Sequence, residues 1–151
     1  MEEALKEAKK AYEKEEVPVG AVIVKNGKII ARAHNLKEIK QKSTAHAEIL
    51  AIEKASKKMN SWRLVDCDMY VTLEPCTMCM GAIILSRIKN LYIGALDKKT
   101  GACGSFVDLS KYKYNHTVNI FKGILSDKCE YILKDFFKEL RNKKNSGGIN
   151  D

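Results

Sequence analysis

Four side chains in two short motifs carry the chemistry of this sequence. His46-Ala47-Glu48 is followed, thirty positions after the histidine, by Cys76 of Pro75-Cys76-Thr77-Met78-Cys79. One imidazole and two thiolates hold a zinc ion in three positions and leave the fourth open for water. A structural zinc site has no need of the extra carboxylate. In a hydrolytic site it moves protons for a metal-activated water near neutral pH. The set is therefore a candidate hydrolytic centre, with His46, Cys76 and Cys79 as ligands of one Zn2+ and Glu48 as the proton carrier.

Taken singly, each motif has a plainer reading. A lone CxxC fits a redox dithiol or two buried cysteines as well as a metal site. His46 alone fits a satisfied buried histidine. Glu48 alone fits a solvated first-turn carboxylate. The coincidence of HxE with PCxxC favours the metal. Two residues apart on a helix means about 200° of rotation. His46 and Glu48 can therefore share a site only at a helix end, where a side chain reaches past the first turn.

The elements that must position these groups follow from periodicity. Glu2 to Glu15 reads as an amphipathic helix with Leu5, Ala8, Ala11 and Tyr12 on one face. Strands over 21–24 and 28–33 flank Asn26-Gly27, a type I′ hairpin signal. Thr44 is the expected N-cap of a helix over 46–59, packed through Ile49, Leu50, Ile52 and Ala55. A strand over 69–73 leads to Pro75, which opens a helix over 76–86 and places both thiols at its first turn. A strand over 91–95, a long loop over 97–114, a strand over 118–121 and a helix over 127–143 follow. Cys129, Ile132, Leu133, Phe136, Phe137 and Leu140 lie at helical spacing in that last helix. The order α-ββ-α-β-α-β-β-α implies an α/β fold: a three-layer α/β/α sandwich around a mixed five-stranded sheet. The 151 residues read as one domain, with 145–151 a frayed tail.

Composition bounds the setting. Net charge is +8, from 27 basic and 19 acidic residues. This suits a polyanionic partner such as RNA, although a Lys-rich and Asn-rich chain reaches that balance without one. The longest apolar runs, such as Ala82-Ile83-Ile84-Leu85, are too short to span a bilayer. No basic segment with an apolar core follows Met1, so a cytoplasmic, reducing location is expected, without membrane contact. Five cysteines there suggest metal binding or burial rather than disulfides.

The HxE…PCxxC pattern marks the zinc-dependent deaminases of nucleobases. A longer set of motifs narrows the match: Glu16-Val17-Pro18-Val19-Gly20-Ala21-Val22, Thr44-Ala45-His46-Ala47-Glu48-Ile49, Tyr70 to Cys79, Lys99-Thr100-Gly101-Ala102, Asn115-His116, Gly123-Ile124-Leu125 and Asp135-Phe136-Phe137. Over nearly its whole length the chain resembles the bacterial tRNA-specific adenosine deaminases, of cytidine-deaminase-like fold. The resemblance implies hydrolytic deamination of the wobble adenosine of a tRNA anticodon to inosine, one Zn2+ per subunit, and a homodimer whose interface includes the helix around Met78 to Ala82.

The resemblance also implies substrate contacts. Asn35 would hydrogen-bond the flipped purine, or else merely end its strand. Val17, Leu73 and the backbone around Ala47 would line the base pocket. Asp97 and Lys99 would lie along the anticodon nucleotides, unless theirs is an ordinary polar loop. Asn115 and His116 would belong to the RNA-facing surface, and Arg141 to a C-terminal helix shaping the cleft. Phe136 and Phe137 could be core instead. Leu96 departs from the pattern, standing where many relatives carry arginine. Two rivals stay open: a deaminase of free bases or nucleosides, and a non-catalytic RNA-binding subunit with a structural zinc.

Overall fold

In the computed structural model residues 1–147 are described. Their elements are α1 (Glu2–Glu13), β1 (Gly20–Lys25), β2 (Lys28–His34), α2 (Lys37–Lys40), α3 (Ala47–Met59), β3 (Cys67–Leu73), α4 (Thr77–Leu85), β4 (Asn90–Ala95), a 3-10 turn (Leu109–Lys111), β5 (Asn119–Lys122) and α5 (Ser126–Gly147). The expected order of major elements is present; α2 is an addition, and the 3-10 turn is a short helical turn within the loop expected over 97–114.

The five strands form one sheet in the order β2-β1-β3-β4-β5. β1 is antiparallel to both β2 and β3, whereas β3, β4 and β5 run parallel. The hairpin turns where the sequence places it. Asn26 and Gly27 have φ of 51° and 74°, the pair of positive values a type I′ turn requires. Helices α3 and α4 pack on one face and α1 and α5 on the other.

The core between the sheet and α3/α4 includes Ile23, Met69, Val71, Leu91 and Ile93 from the strands and Met80, Ile83 and Ile84 from α4. Helix α3 meets it through Ala47, Ala51 and Ala55, with Leu50 and Ile52 at the margin. The seam is thus alanine-lined rather than built from the branched residues that periodicity suggests. Helix α1 does the same, burying Ala4, Glu7, Ala8 and Ala11 while Leu5 and Tyr12 stay at the edge. Small side chains win because the backbones approach closely. At Gly20 a Cβ would lie 2.0 Å from the carbonyl oxygen of Ala4.

Helix α5 buries Cys129 and Phe136 and leaves Phe137 40% exposed, so one of the two aromatics is core. It is helical through Asn145, Ser146 and Gly147, the first residues of the segment expected to fray; the rest of that segment, 148–151, lies outside the described residues. None of the described helices is long and apolar enough to cross a membrane.

Candidate active site

The site forms where the N-termini of α3 and α4 meet at the carboxyl ends of β3 and β4, the position where open α/β sheets collect ligands. His46, not Thr44, is the N-cap of α3, in extended conformation at φ −78°, ψ 153°. That placement resolves the angular problem of HxE. His46 lies outside the helix and Glu48 sits in the first turn, so both face the same cleft. Cys76 is likewise the extended N-cap of α4, with Cys79 three residues on. Pro75 therefore precedes the cap rather than opening the helix. The positive ends of two helix dipoles converge here and favour thiolate and carboxylate.

His46 Nδ1 lies 3.6 Å from Cys76 Sγ and 3.5 Å from Cys79 Sγ. The three donor atoms are all within 4.8 Å of one another, the only such group of metal-ligand side chains among the described residues. Bond lengths of about 2.3 Å to sulfur and 2.0–2.1 Å to nitrogen give a tetrahedral N···S edge of about 3.6 Å. The residues fit a zinc ion. Cys76 is held down at about 4, first by the hydrogen bond from the Cys79 thiol, with His46 adding to it. Cys79 is pushed well above the usual thiol range by the same hydrogen bond and by burial. Hydrogen bonding to Cys76 raises His46. Burial raises the carboxyl of Glu48, which is only 3% exposed.

Beside this cluster opens a cleft of about 160 Å³, lined by residues that include Val17, Asn35, Lys37, Ala47, Leu73 and Asp97. It is small against the roughly 300–1,000 Å³ of drug-sized ligand sites, so it suits one compact planar group. The Asn35 side chain is partly committed. Its Nδ2 donates to the Val17 carbonyl at 3.2 Å, and its Oδ1 accepts from the backbone of Lys37 at 3.1 Å. One amide hydrogen and one lone pair remain for a base edge. Asp97 folds its own loop: Oδ1 accepts from the amides of Lys99 and Thr100 at 3.0 and 3.2 Å, and Oδ2 from Thr100 Oγ1 at 2.8 Å.

Four expected contacts are not brought to the cleft lining. Lys99 is exposed on the same loop as Asp97, and Arg141 is exposed on α5. Asn115 and His116 lie at the opposite end of the sheet, where the His116 ring Nε2 meets the Ile88 carbonyl at 2.6 Å. Strand polarity forces this. β4 ends at the cleft, and a parallel β5 must start at the far end, so the residues just before it have crossed the molecule.

Two buried carboxylates were not legible as site residues. Glu74, 2% exposed, accepts from the amides of Asp97 (3.2 Å), Cys103 (3.0 Å) and Ser105 (3.2 Å) and from the Ser105 hydroxyl. It staples the loop that borders the cleft to the start of the Cys76 segment. Glu16, 1% exposed, accepts from the amides of Ile39 (2.6 Å) and Glu38 (3.2 Å) and so holds α2, which carries the cleft residue Lys37. A carboxylate at the end of an apolar strand, as in Leu73-Glu74-Pro75, is the signal that marks Glu74. Cys103 is no ligand: burial raises its thiol to about 12, and it contacts Met80 Sδ at 3.5 Å.

The MafB19-like deaminase family model matches residues 1–141. The tRNA-specific adenosine deaminase of Bacillus subtilis is 51% identical over 151 residues, covering 99% of this chain and 94% of that one. A solved structure described under A-to-I editing by tRNA:A34 deaminases at the wobble position superposes with a TM-score of 0.83 at 43% identity, covering 88% of this chain and 97% of the other. A guanine deaminase from Nitrosomonas europaea shares the fold at TM-score 0.74 and 25% identity, over 88% and 80% of the two chains. Shared architecture thus accommodates different bases, while identity over the full length separates the branches: this chain belongs to the tRNA-specific adenosine deaminases, within the MafB19-like deaminase family.

Proposed function

We propose that the protein hydrolytically deaminates the wobble adenosine of a tRNA anticodon, giving inosine and ammonia. The observation that carries this is the convergence of His46, Cys76 and Cys79 with buried Glu48 on a base-sized cleft, in a chain half-identical to a tRNA-specific adenosine deaminase. His46 and the two cysteines would hold one Zn2+. When bound it would lower the pKa of water toward about 7.

The chain's own groups do the rest. Val17, Leu73 and the Ala47 backbone sandwich a base turned out of its stack. The free hydrogen and lone pair of the Asn35 amide read its edge. Glu48 accepts a proton from the attacking water and delivers it to the purine, and the amine leaves as ammonia. Its raised carboxyl suits a group that must take and return a proton. Asp97 shapes the loop beside the anticodon, with Lys99 on its rim. Asn115, His116 and Arg141 would serve the RNA only away from the cleft. The enzyme is a homodimer of the cytoplasm, where its substrate is.

The test is the one-dalton mass gain of deamination. An anticodon stem-loop with wobble adenosine, incubated with zinc-loaded protein, should acquire inosine, while free adenosine, cytidine and guanine stay unchanged. Product from a free base alone would replace the substrate and keep the chemistry. No product from any would leave a non-catalytic RNA binder.

A further inference from the structure

The end of the molecule opposite the cleft carries a cationic platform that the deamination chemistry does not use. The chain's only tryptophan, Trp62, is 53% exposed there. The Arg63 guanidinium carbon lies 4.3 Å from its ring centroid, and that of Arg87 lies 5.6 Å away. Arg87 is further fixed by hydrogen bonds from Nη1 to the carbonyls of Leu85 (3.0 Å) and Ile84 (3.4 Å) at the end of α4.

Two backbone bonds lock the platform together. The Leu64 amide donates to the Ser86 carbonyl at 2.7 Å, and the Lys89 amide donates to the Cys67 carbonyl at 2.9 Å. A groove beside it includes Arg63, Arg87, Lys89, Asn115 and His116, with Asp66 its one acid. Lys57 and Lys58 occupy the last turn of α3, just before Trp62. Among the described residues none of these five cations is in an ion pair.

Guanidiniums stacked on an indole are held in place; Arg63 keeps all its donors free and Arg87 those beyond Nη1, the arrangement that receives phosphate oxygens. The same face of a second copy is disfavoured as the occupant, because it would set these five cations against their own kind. The 13 residues of α3 separate the platform from the cleft, a rise of about 20 Å. A phosphate held there cannot belong to the nucleotide being edited.

Resting on the tRNA reading above, we propose that Trp62, Arg63, Arg87 and Lys89 form a second RNA-contact surface. It grips backbone phosphates of the substrate remote from the wobble position, and it supplies affinity without sequence information.

The test is charge reversal at Arg63 and Lys89, the two of the surface's three cations whose side chains make no hydrogen bond within the fold. Folding of R63E/K89E is checked first by circular dichroism, and oligomeric state by sedimentation. Binding of full-length tRNA is then followed across a salt series. The double variant should raise Kd at least tenfold and flatten the log Kd against log salt slope by about two. Its kcat at saturating tRNA should change less than twofold. A short RNA carrying only the anticodon loop should bind it as it binds the wild type. W62F should keep wild-type affinity and W62A should lose part of it.

Unchanged tRNA affinity and slope overturn the proposal, as does equal weakening for both RNAs, which would place the contact beside the edited nucleotide. Altered sedimentation that accounts for the lost affinity overturns it in favour of a protein contact. Failure of the wild type to edit either RNA would sink the tRNA reading itself. Wild-type editing with an unaffected double variant sinks only the surface.

Discussion

Glu48 and Glu74 are both buried carboxylates near the cleft, and their surroundings separate their roles. Glu48 lies in the first turn of α3 with its carboxyl raised by burial, free to exchange a proton. E48A should abolish turnover, by at least about a thousandfold, while metal analysis still finds one zinc per chain, because the three ligands are untouched. Activity surviving in E48A would refute the proton-transfer role. Glu74 spends both oxygens on loop 97–105. E74Q places amide hydrogens against groups that are themselves donors, at about 1–3 kcal/mol. We expect KM for the stem-loop to rise about tenfold with kcat and zinc content little changed, and S105A to show a milder version. A fall in kcat alone would make Glu74 part of the chemistry. The ligands and Glu48 were legible because HxE and PCxxC are local patterns of few alternatives. Glu74 was not, because its meaning lies in the amides of residues some thirty positions away.

At the scale of elements, the sequence reveals the segments better than the seams between them. Hydrophobic period and the Asn26-Gly27 turn locate the helices and strands to within a few residues. They place Ala8, Ala11 and Ala55 inward as found but overrate the larger residues beside them, because close packing on the sheet selects alanine where a hydrophobicity pattern selects leucine and isoleucine. Nor does any pattern show that parallel pairing of β4 and β5 sends Asn115 and His116 to the far end, away from the loop of Asp97 and Lys99 with which the resemblance grouped them as RNA-facing. Helix α1 also meets α5 through a contact that no pattern announces. The Tyr12 hydroxyl donates to Asp135 Oδ2 at 2.6 Å, and its ring stands edge-on to Phe136 at 5.5 Å. The bond to that carboxylate raises the tyrosine from its ordinary 10 to about 12. A folded-state value above the unfolded one gives stability that is complete below pH 10 and lost as pH rises toward 12. Thermal melts should therefore show a decline in Tm across that window that Y12F lacks, with Y12F already lower at neutral pH. Parallel curves for the two proteins would mean that the bond contributes nothing to α1–α5 docking.

For the molecule as a whole, α4 is the helix whose apolar outer face the chain leaves uncovered. Thr77-Met78-Cys79-Met80-Gly81-Ala82-Ile83-Ile84-Leu85 has no charged residue, and a helix apolar on every side is ordinarily buried on every side. Here Cys79, Met80, Ile83 and Ile84 face the core. Met78, Gly81 and Ala82 remain half-buried and Leu85 is 68% exposed. A Cβ added at Gly81 would meet nothing within 4 Å, so the outer face is open there, and the small side chains of Gly81 and Ala82 leave room for a partner helix in close approach. Since Cys76 caps α4 and Cys79 lies in its first turn, pairing two chains along it would set the helix of the two thiol ligands at the interface and brace both clefts. The wild type should sediment as a dimer at micromolar concentration. L85D places an unpaired carboxylate in that seam and should shift it to monomer, with the fold retained because Leu85 lies outside the core. Zinc content should hold, since no ligand is lost. Activity on the stem-loop should fall with dissociation and recover at high protein concentration. A wild type that is monomeric at these concentrations, or an L85D that remains dimeric, would place the interface elsewhere.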